Sequence, residues 1–269
     1  MIPSPDAGTV GWRVSVVIPV KDDAAPLRAC LDALALQSRP VDEIVVVDNR
    51  SEDDSARVAR AARARVVRCD ADGIPAAAAL GYDVADGDVI LRLDADCVPE
   101  RHWVASMVGA LAATPGVAAV SGSARFVDGP RPMRAPVAAV YLGAYVLLAI
   151  AALGHPPVFG SNLAMRRTAW MAVREHVHRD DPELHDDLDL AFHLGERDRV
   201  RWLGGTAMGM SMRPFGTGRG FARRIVRGLR TVVVHWPADF PPLRWARRLG
   251  VVLEDASRRR RFAREAGRS

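Results

Sequence analysis

Short apolar runs alternate with segments of helical spacing through the first half of the chain, and this order restricts the fold more than any other feature. Runs such as VSVVIPV and EIVVV are rich in β-branched residues, as in parallel strands buried on both faces. The predicted strands are residues 14–20, 43–47, 65–69, 89–93 and 117–123, and the predicted helices between them are residues 25–37, 51–63 (with Ser51 as N-cap), 75–84 and 102–114. The order predicts an α/β fold: a mostly parallel central sheet with helices on both faces.

Two carboxylates, Asp94 and Asp96, follow the strand predicted at residues 89–93. In extended backbone their i, i+2 spacing places both side chains on one side. Like charges so close repel each other, so the pair favours a bound cation or an incoming positive group. A divalent metal that holds a diphosphate fits best, and a solvated strand end is the alternative. Asp48 also ends a predicted strand, and ligands of parallel sheets bind beyond such ends, so one shared pocket is expected.

Composition bounds the class of protein. A length of 269 residues allows one large α/β domain or two small ones. The three cysteines form no CxxC pair, which fits a reducing compartment and argues against a disulfide framework or a zinc site. Residues 1–8 lack the basic and apolar regions of a secretory signal, so a cytoplasmic protein is expected.

The net charge of +5 is unevenly distributed. Residues 213–269 contain fifteen Arg against four acids, whereas the preceding part is acidic. An acidic body with a basic tail favours contact with an anionic partner: membrane phospholipid, nucleic acid or a phosphorylated substrate.

The segment 136–153 is uncharged and almost wholly apolar, at the lower limit for a membrane span. A span here would put the predicted strands and the acidic helix that follows on opposite sides of a bilayer. One site shared by both excludes that arrangement, so we predict a buried or interfacial helix.

A second acidic cluster, Asp186, Asp187 and Asp189, opens a helix predicted at residues 186–195. A helix N-terminus stabilises anions. An ionised carboxylate within reach of a substrate hydroxyl can act as a general base. The alternative is a helix capped by acids, with no further role.

Five segments, in this order and spacing, resemble family 2 glycosyltransferases, the inverting enzymes of the GT-A fold. They are VSVVIP at 14–19, DEIVVVDN at 42–49, LDADCVP at 93–99, GSN at 160–162 and DDLDL at 186–190. The resemblance covers roughly residues 13–203. It implies a GT-A type domain that moves a sugar from a nucleotide-diphosphate donor to an acceptor hydroxyl, with inversion and with help from a divalent metal.

For the donor, the resemblance implies that Pro19, Asp23 and Asp48 contact the nucleotide. Asp94 and Asp96 correspond to the family's Asp-x-Asp pair, whose second member usually binds Mg or Mn at the diphosphate. Such a metal neutralises charge on the departing group.

For the acceptor, Asp187 corresponds to the general base, and Asp186 stands where Glu is more usual. Gly160, Ser161 and Asn162 correspond to a turn near the acceptor.

One segment departs from the family pattern, and one histidine is a further candidate for the site. The pattern Gly-x-x-x-x-Arg-Asn-x-Gly aligns with residues 73–81, but Ala78 and Ala79 occupy the Arg and Asn positions. Arg92 and Arg50 are candidate substitutes for the missing charge. His235 is either a further metal ligand, as a late His is in some GT-A enzymes, or a structural histidine.

The tail has more than one interpretation. Residues 218–234 form a basic amphipathic helix, in which Arg219, Arg223 and Arg224 either approach the donor diphosphate, bind anionic lipid headgroups or form a solvated face. The Arg run at 258–261 leaves the lipid and solvated alternatives open. The expected organisation is an N-terminal tail (1–12), a GT-A domain (13–235) and a Pro/Arg-rich extension (236–269).

The sequence leaves three alternative functions open. The first is a metal-dependent glycosyltransferase with a nucleotide-sugar donor, acting on a lipid-linked or glycan acceptor and docked at the inner face of a membrane. The second is a binding or scaffold protein with weakened catalysis, supported by Ala78 and Ala79. The third is a nucleotidyltransferase, although the Gly-rich basic signature of that class is missing after the first strand. The tail contains no recognisable nucleic-acid module, so no nucleic-acid partner is expected.

Overall fold

The computed structural model describes residues 11–197, 199–213 and 218–250. A seven-stranded sheet forms its centre, in the order β3-β2-β1-β4-β6-β5-β7. The strands are β1 (Val14–Val20), β2 (Glu43–Asp48), β3 (Arg65–Arg68), β4 (Val89–Arg92), β5 (Val117–Phe126), β6 (Leu163–Arg166) and β7 (Arg199–Met210).

The sheet is mostly parallel, as predicted. Strands β3, β2, β1 and β4 run parallel to one another, β6 runs antiparallel to β4 and β5, and β7 is parallel to β5. The register pairs Val20 of β1 with Asp48 of β2, and Val17 with Arg92 of β4. The carboxyl ends of these three strands therefore open onto the same edge of the sheet.

Helices pack on both faces of the sheet. They are α1 (Ala24–Ala35), α2 (Ser55–Ala61), α3 (Ile74–Val84), α4 (Trp103–Ala112), α5 (Arg131–Leu153), α6 (Arg167–Val173), α7 (Asp186–Arg197) and α8 (Gly218–Val234), with a 3-10 turn at Gly160–Asn162. Side chains of β1 alternate between two cores: Val16 and Ile18 pack with α1 and α4, whereas Val17 packs with α3 and α7. Alternation of this kind is the period-2 geometry of a strand.

Two local features differ from the sequence-based prediction. Strand β7 was not predicted, because the paired glycines Gly204 and Gly205 interrupt its apolar alternation. Ser51 is not an N-cap, since α2 begins at Ser55 after Asp54. Instead Ser51 Oγ accepts a hydrogen bond of 3.1 Å from the Asp22 N–H.

Helix α5 is the long apolar segment, and one side of it is exposed. By length and composition it could cross a membrane, and 28% of its most apolar window is buried inside the protein. Val140, Leu147 and Leu148 are 74%, 70% and 72% exposed. The helix ends at Gly154, whose left-handed φ of 73° suits glycine and lets its N–H reach the Ile150 carbonyl at 2.8 Å.

The chain after α8 packs back against the sheet domain. Residues 241–250 are helical, and Arg244 within them is 1% exposed. Its Nε donates to the Leu153 carbonyl at 2.9 Å and its Nη2 donates to the Phe192 carbonyl at 2.6 Å. The boundary predicted between residues 235 and 236 therefore falls inside one packed unit, as far as residue 250.

Candidate active site

The loops that leave β1 and β2 are held together at the carboxyl edge of the sheet. Asp22 Oδ1 accepts a hydrogen bond of 2.7 Å from the Glu52 N–H. Asp48, at the end of β2, accepts one of 3.1 Å from the Ser51 N–H. Pro19 is buried in β1, one strand away from Asp48. These contacts hold the two loops in place at the edge of the sheet where the family resemblance implies a nucleotide.

Arg213 joins the loop after β1 to the acidic pair after β4. Its guanidinium donates to both oxygens of Asp23, at 2.5 and 2.9 Å, and to Asp96 Oδ2 at 3.1 Å. Burial, and then the charge of Asp94, raise the pKa of the Asp96 carboxyl above its ordinary value, against the opposing effect of Arg213. A cation beside Asp96 therefore stabilises its charged form, and Arg213 supplies one.

Arg92, the last residue of β4, is a buried cation between the two acidic clusters. Its Nη2 donates to Asp94 Oδ1 at 3.1 Å, its Nη1 donates to Asp186 Oδ2, and its side chain is 3% exposed. Burial alone would lower the pKa of the guanidinium, but Asp186, Tyr82 and Asp94 raise it well above its ordinary value. Burial raises the pKa of the Asp186 carboxyl to about 6, with Arg92 opposing that change.

The turn Gly160–Asn162 connects the two acidic clusters. Ser161 Oγ donates to Asp94 Oδ2 at 2.5 Å, and the Gly160 N–H donates to Asp187 Oδ2 at 3.1 Å. Asp187 also accepts from the Leu188 N–H at 2.8 Å. The acidic segments after β1, after β4 and at the start of α7 therefore lie around one place, although they are far apart in the sequence.

The same turn is supported from behind. Asn162 is fully buried; its Oδ1 accepts from Trp103 Nε1 at 2.8 Å and its Nδ2 donates to the Ser123 carbonyl at 2.9 Å. Asn162 thus holds the turn in place from behind, and the turn's predicted position near an acceptor stays a prediction. Glycine is required at 160 because a Cβ there would overlap the Arg92 guanidinium.

The basic helix α8 is partly neutralised. Arg223 Nη2 donates to Glu183 Oε1 at 2.6 Å, and Arg227 Nη2 donates to the same atom at 2.9 Å. Arg230 pairs with Asp181 at 2.8 Å. The Arg219 side chain and the run at 258–261 lie outside the described residues, so their predicted roles stay predictions.

His235 lies against α7 rather than beside the acidic pair after β4. Its Nδ1 donates to the Thr231 carbonyl at 2.7 Å, and its Nε2 is 3.2 Å from Asp189 Oδ1. Burial alone would raise the pKa of the Asp189 carboxyl, but the imidazoles of His193, His235 and His178 outweigh burial and hold it well below its usual range. This placement does not support His235 as a ligand at the diphosphate.

Of two cavities, one lies apart from the predicted site residues and the other lies beside them. One of about 410 Å³ opens at the amino end of β4, among Trp12, Asp88 and Arg166, and none of the predicted site residues lines it. A small cavity of about 20 Å³ is lined by Asp186 and Asp189 of α7 and by Ala78 of α3. The site is therefore defined by its charged contacts.

Neither Arg213 nor the imidazoles of His178 and His193 beside Asp189 were predicted from the sequence. Arg213 is 190 residues from Asp23, and one Arg in an Arg-rich tail gives no local signal. For Asp189 a signal existed, because His193 follows it at i, i+4 on the same helix face.

The chain is similar to known glycosyltransferases. The family model described as Glycosyl transferase family 2 matches residues 15–171. Glycosyltransferase AglE of Haloferax volcanii is 32% identical over 121 residues, which cover 42% of this chain and 40% of that protein. The chain therefore matches less than half the length of this curated relative.

Solved structures support the fold. Glucosyl-3-phosphoglycerate synthase from Mycobacterium tuberculosis, in complex with Mn²⁺, UDP and glucosyl-3-phosphoglycerate, superposes with a TM-score of 0.60 at 21% identity, over 86% of this chain and 82% of that one. Its complex with Mg²⁺ and UDP gives a TM-score of 0.59 at 20% identity, over 86% and 81%. At this identity the match shows the fold, a sheet of mostly parallel strands between layers of helices.

Proposed function

The chain belongs to glycosyl transferase family 2, whose model matches residues 15–171, and on that premise we propose that it transfers a sugar from a nucleoside-diphosphate donor to an acceptor hydroxyl. The observation that carries the proposal is the turn Gly160–Asn162. Through Ser161 it bonds Asp94, and through the Gly160 N–H it bonds Asp187. A carboxylate suited to the donor and a carboxylate suited to the acceptor are thus held by one turn.

The residues after β4 fit a divalent cation. Carboxylate oxygens of Asp94 and Asp96 lie within 4.8 Å of each other and of the Cys97 sulfur. Burial raises the pKa of the Cys97 thiol well above its ordinary value, so the carboxylates are the proposed ligands. Mn²⁺ or Mg²⁺ is proposed because both occur with UDP in the similar synthase structures. When bound, the metal neutralises charge that develops on the departing diphosphate.

Arg213 is proposed as a second cation for the donor. Its side chain is 51% exposed while its guanidinium spans Asp23 and Asp96. An exposed ion pair is weak, so a diphosphate can compete for the guanidinium at small cost. Pro19 and Asp48 are proposed to contact the nucleoside, because Pro19 lies one residue before the end of β1 and Asp48 ends β2 at the same edge of the sheet.

Asp187, rather than Asp186, is the proposed general base. Asp186 is engaged by the buried Arg92. Asp187 is held by two backbone N–H groups, from Gly160 and Leu188, which orient the carboxylate and leave it lone pairs for a substrate hydroxyl. A single displacement with this base, which takes the acceptor proton as the hydroxyl attacks the anomeric carbon, inverts the configuration of the sugar.

Nucleotide binding tests the donor half of the proposal. Calorimetric titration with UDP and GDP, with and without Mn²⁺, is expected to show metal-dependent binding that Asp96→Asn abolishes. Asp70→Asn is the matched control, because Asp70 is an exposed acid paired with Arg68. Metal-independent weak binding in all three proteins would favour a scaffold. Pyrophosphate release on incubation with nucleoside triphosphates would favour a nucleotidyltransferase.

A membrane surface is proposed as the place of action. Helices α5 and α8 meet through Tyr141 and Phe221, whose rings are 6.4 Å apart. Large apolar side chains are exposed on these helices and on the residues after α8, and we propose that they form one surface: Val140, Leu147, Leu148, Ile225, Val226, Leu229, Trp236, Trp245 and Leu249. Arg residues of α8 lie beside it. Apolar side chains flanked by basic ones favour an anionic lipid interface, where each buried side chain contributes about 1.5–3 kcal/mol.

Vesicle flotation tests the membrane proposal. The protein is expected to float with vesicles that contain phosphatidylglycerol and to float less with neutral ones. Leu229→Asp should reduce flotation, whereas Leu36→Asp should not, because Leu36 is 70% exposed but lies outside this surface. Equal flotation of the two variants would refute the assignment of this surface.

A further inference from the structure

Four potential metal ligands converge between α7, the end of α8 and the loop before α7. They are His178, Asp189, His193 and His235, and their ligand atoms all lie within 4.8 Å of one another. The Asp189 side chain is 4% exposed and that of His235 is 3% exposed. Asp189 belongs to the acidic start of α7, whereas the three histidines belong to none of the acidic segments described above.

Hydrogen bonding leaves two of these imidazoles with a buried nitrogen unused. His235 Nδ1 faces the Thr231 carbonyl at 2.7 Å, and since a carbonyl only accepts, this nitrogen carries the hydrogen. In the neutral ring Nε2 then carries a lone pair and no hydrogen. This nitrogen lies 3.2 Å from Asp189 Oδ1. Within the described part of the chain, the Nε2 atoms of His235 and His193 are buried without a hydrogen-bond partner. For His235 a lone pair facing a buried carboxylate at this distance is unfavourable unless a cation, either a proton or a metal ion, lies between the two atoms.

We propose that His178, Asp189, His193 and His235 bind a structural Zn²⁺ ion. Three imidazole nitrogens and one carboxylate oxygen are a donor set that suits zinc. Four protein ligands fill a tetrahedral shell, as in structural rather than catalytic zinc sites.

The distances match the size of such a shell. With bonds of 2.0–2.1 Å, tetrahedral ligand atoms are about 3.3 Å apart. The nitrogens of His178, His235 and His193 lie 2.7, 3.2 and 3.7 Å from Asp189 Oδ1, values that bracket this separation. The bond from His235 Nδ1 to the Thr231 carbonyl orients the ring, as outer contacts of metal-bound histidines usually do.

Metal content of the full chain tests the proposal. The purified protein, dialysed against metal-free buffer, is expected to retain about one zinc per chain by elemental mass spectrometry, as the closed shell predicts. After removal of zinc with a chelator, Co²⁺ should restore one equivalent and give the intense visible absorption of tetrahedral coordination. His193→Gln and His235→Gln should each lose stoichiometric zinc.

Controls separate this site from the acidic cleft and from misfolding. His176→Gln should retain zinc, because its ring lies 6.2 Å from that of His193 but outside the cluster. Asp96→Asn should also retain it. If the wild-type chain binds neither Zn²⁺ nor Co²⁺ at micromolar concentration, the proposal is wrong. Hydrogen atoms on the imidazoles, and no metal ion, would then link the histidines to Asp189. This outcome does not depend on whether the variants fold. Equal zinc retention in folded His193→Gln and His176→Gln would equally overturn it.

Discussion

Replacement of Arg92 by Met should destabilise the protein in a pH-dependent manner. Arg92 is 2% exposed and is the cation shared by Asp94 and Asp186. Met keeps much of the side-chain volume and removes the charge. Loss of one partner from a buried ion pair costs about 3–5 kcal/mol, because the Asp186 carboxylate, whose side chain is 16% exposed, stays largely buried without its counter-charge.

The pH dependence follows from Asp186. In the wild type the pKa of its carboxyl is raised from 3.8 to about 6, first by burial, so the folded state holds a proton that the unfolded state releases, and stability falls as pH rises between these values. Arg92 opposes this rise, so in Arg92→Met the pKa should be higher still. The variant then continues to lose about 1.4 kcal/mol per pH unit above pH 6, whereas the wild type loses only about 0.4 kcal/mol more between pH 6 and pH 8. Over this range the deficit of the variant should widen by up to about 2.3 kcal/mol.

Urea unfolding monitored by circular dichroism at pH 6 and pH 8 measures this difference. Arg57→Met is the control, because Arg57 is 72% exposed and pairs with Asp54 on the surface of α2. That substitution should leave the urea midpoint nearly unchanged at both pH values, because an exposed ion pair contributes little to stability. The reasoning is refuted if the Arg92→Met deficit is the same at pH 6 and pH 8, or if it does not exceed that of Arg57→Met.

Three further outcomes are expected. Asp187→Asn should lower kcat about 10²–10⁴-fold in a sugar-transfer assay and leave the Kd of the nucleotide unchanged, since only the base is lost; an unchanged kcat would contradict its role. Arg213→Ala should tighten Mn²⁺ binding without nucleotide about fivefold by calorimetry, because a partly exposed ion pair of about 1 kcal/mol no longer competes at Asp96; weaker binding would mean that Arg213 supports the metal site. Gly160→Ala should lower the free energy of unfolding by about 1–3 kcal/mol, because the added Cβ overlaps the buried Arg92 guanidinium. An unchanged urea midpoint would show that the turn or the Arg92 side chain shifts to accommodate the methyl group, and would contradict this prediction.

The parallel half of the fold was predictable because its strands are locally encoded. Val14–Val20 and its neighbours are continuous β-branched runs, which only a sheet covered on both faces can bury. The antiparallel insertion of β6 between β4 and β5 was not predictable, because strand order depends on contacts between distant segments. Strand β7 was missed for a local reason, the glycines in its middle.

The candidate site was predictable as a set of acids but not as a set of contacts. Asp94, Asp96 and Asp187 could be named from strand ends and a helix start. Their counter-charges could not, because Arg213 meets Asp96 across 117 residues and follows no pattern. Arg92 was proposed only as one substitute for a missing family arginine. The cysteine spacing argued against a zinc site, but it carries no information on histidines.

The alanines on α3 explain why Arg92 has its role. Ala78 and Ala79 are 1% and 4% exposed and face a cavity of about 20 Å³ in front of Asp186 and Asp189. An arginine at 78 has no room in a space of that size, so α7 approaches α3 closely and brings its acids into the interior. Each acid then needs its own compensation: Asp186 has Arg92, Asp187 has two backbone N–H groups, and Asp189 has three imidazoles. The buried acids of α7 and the small residues of α3 are therefore one feature, and Arg92 of β4 supplies the positive charge beside Asp186.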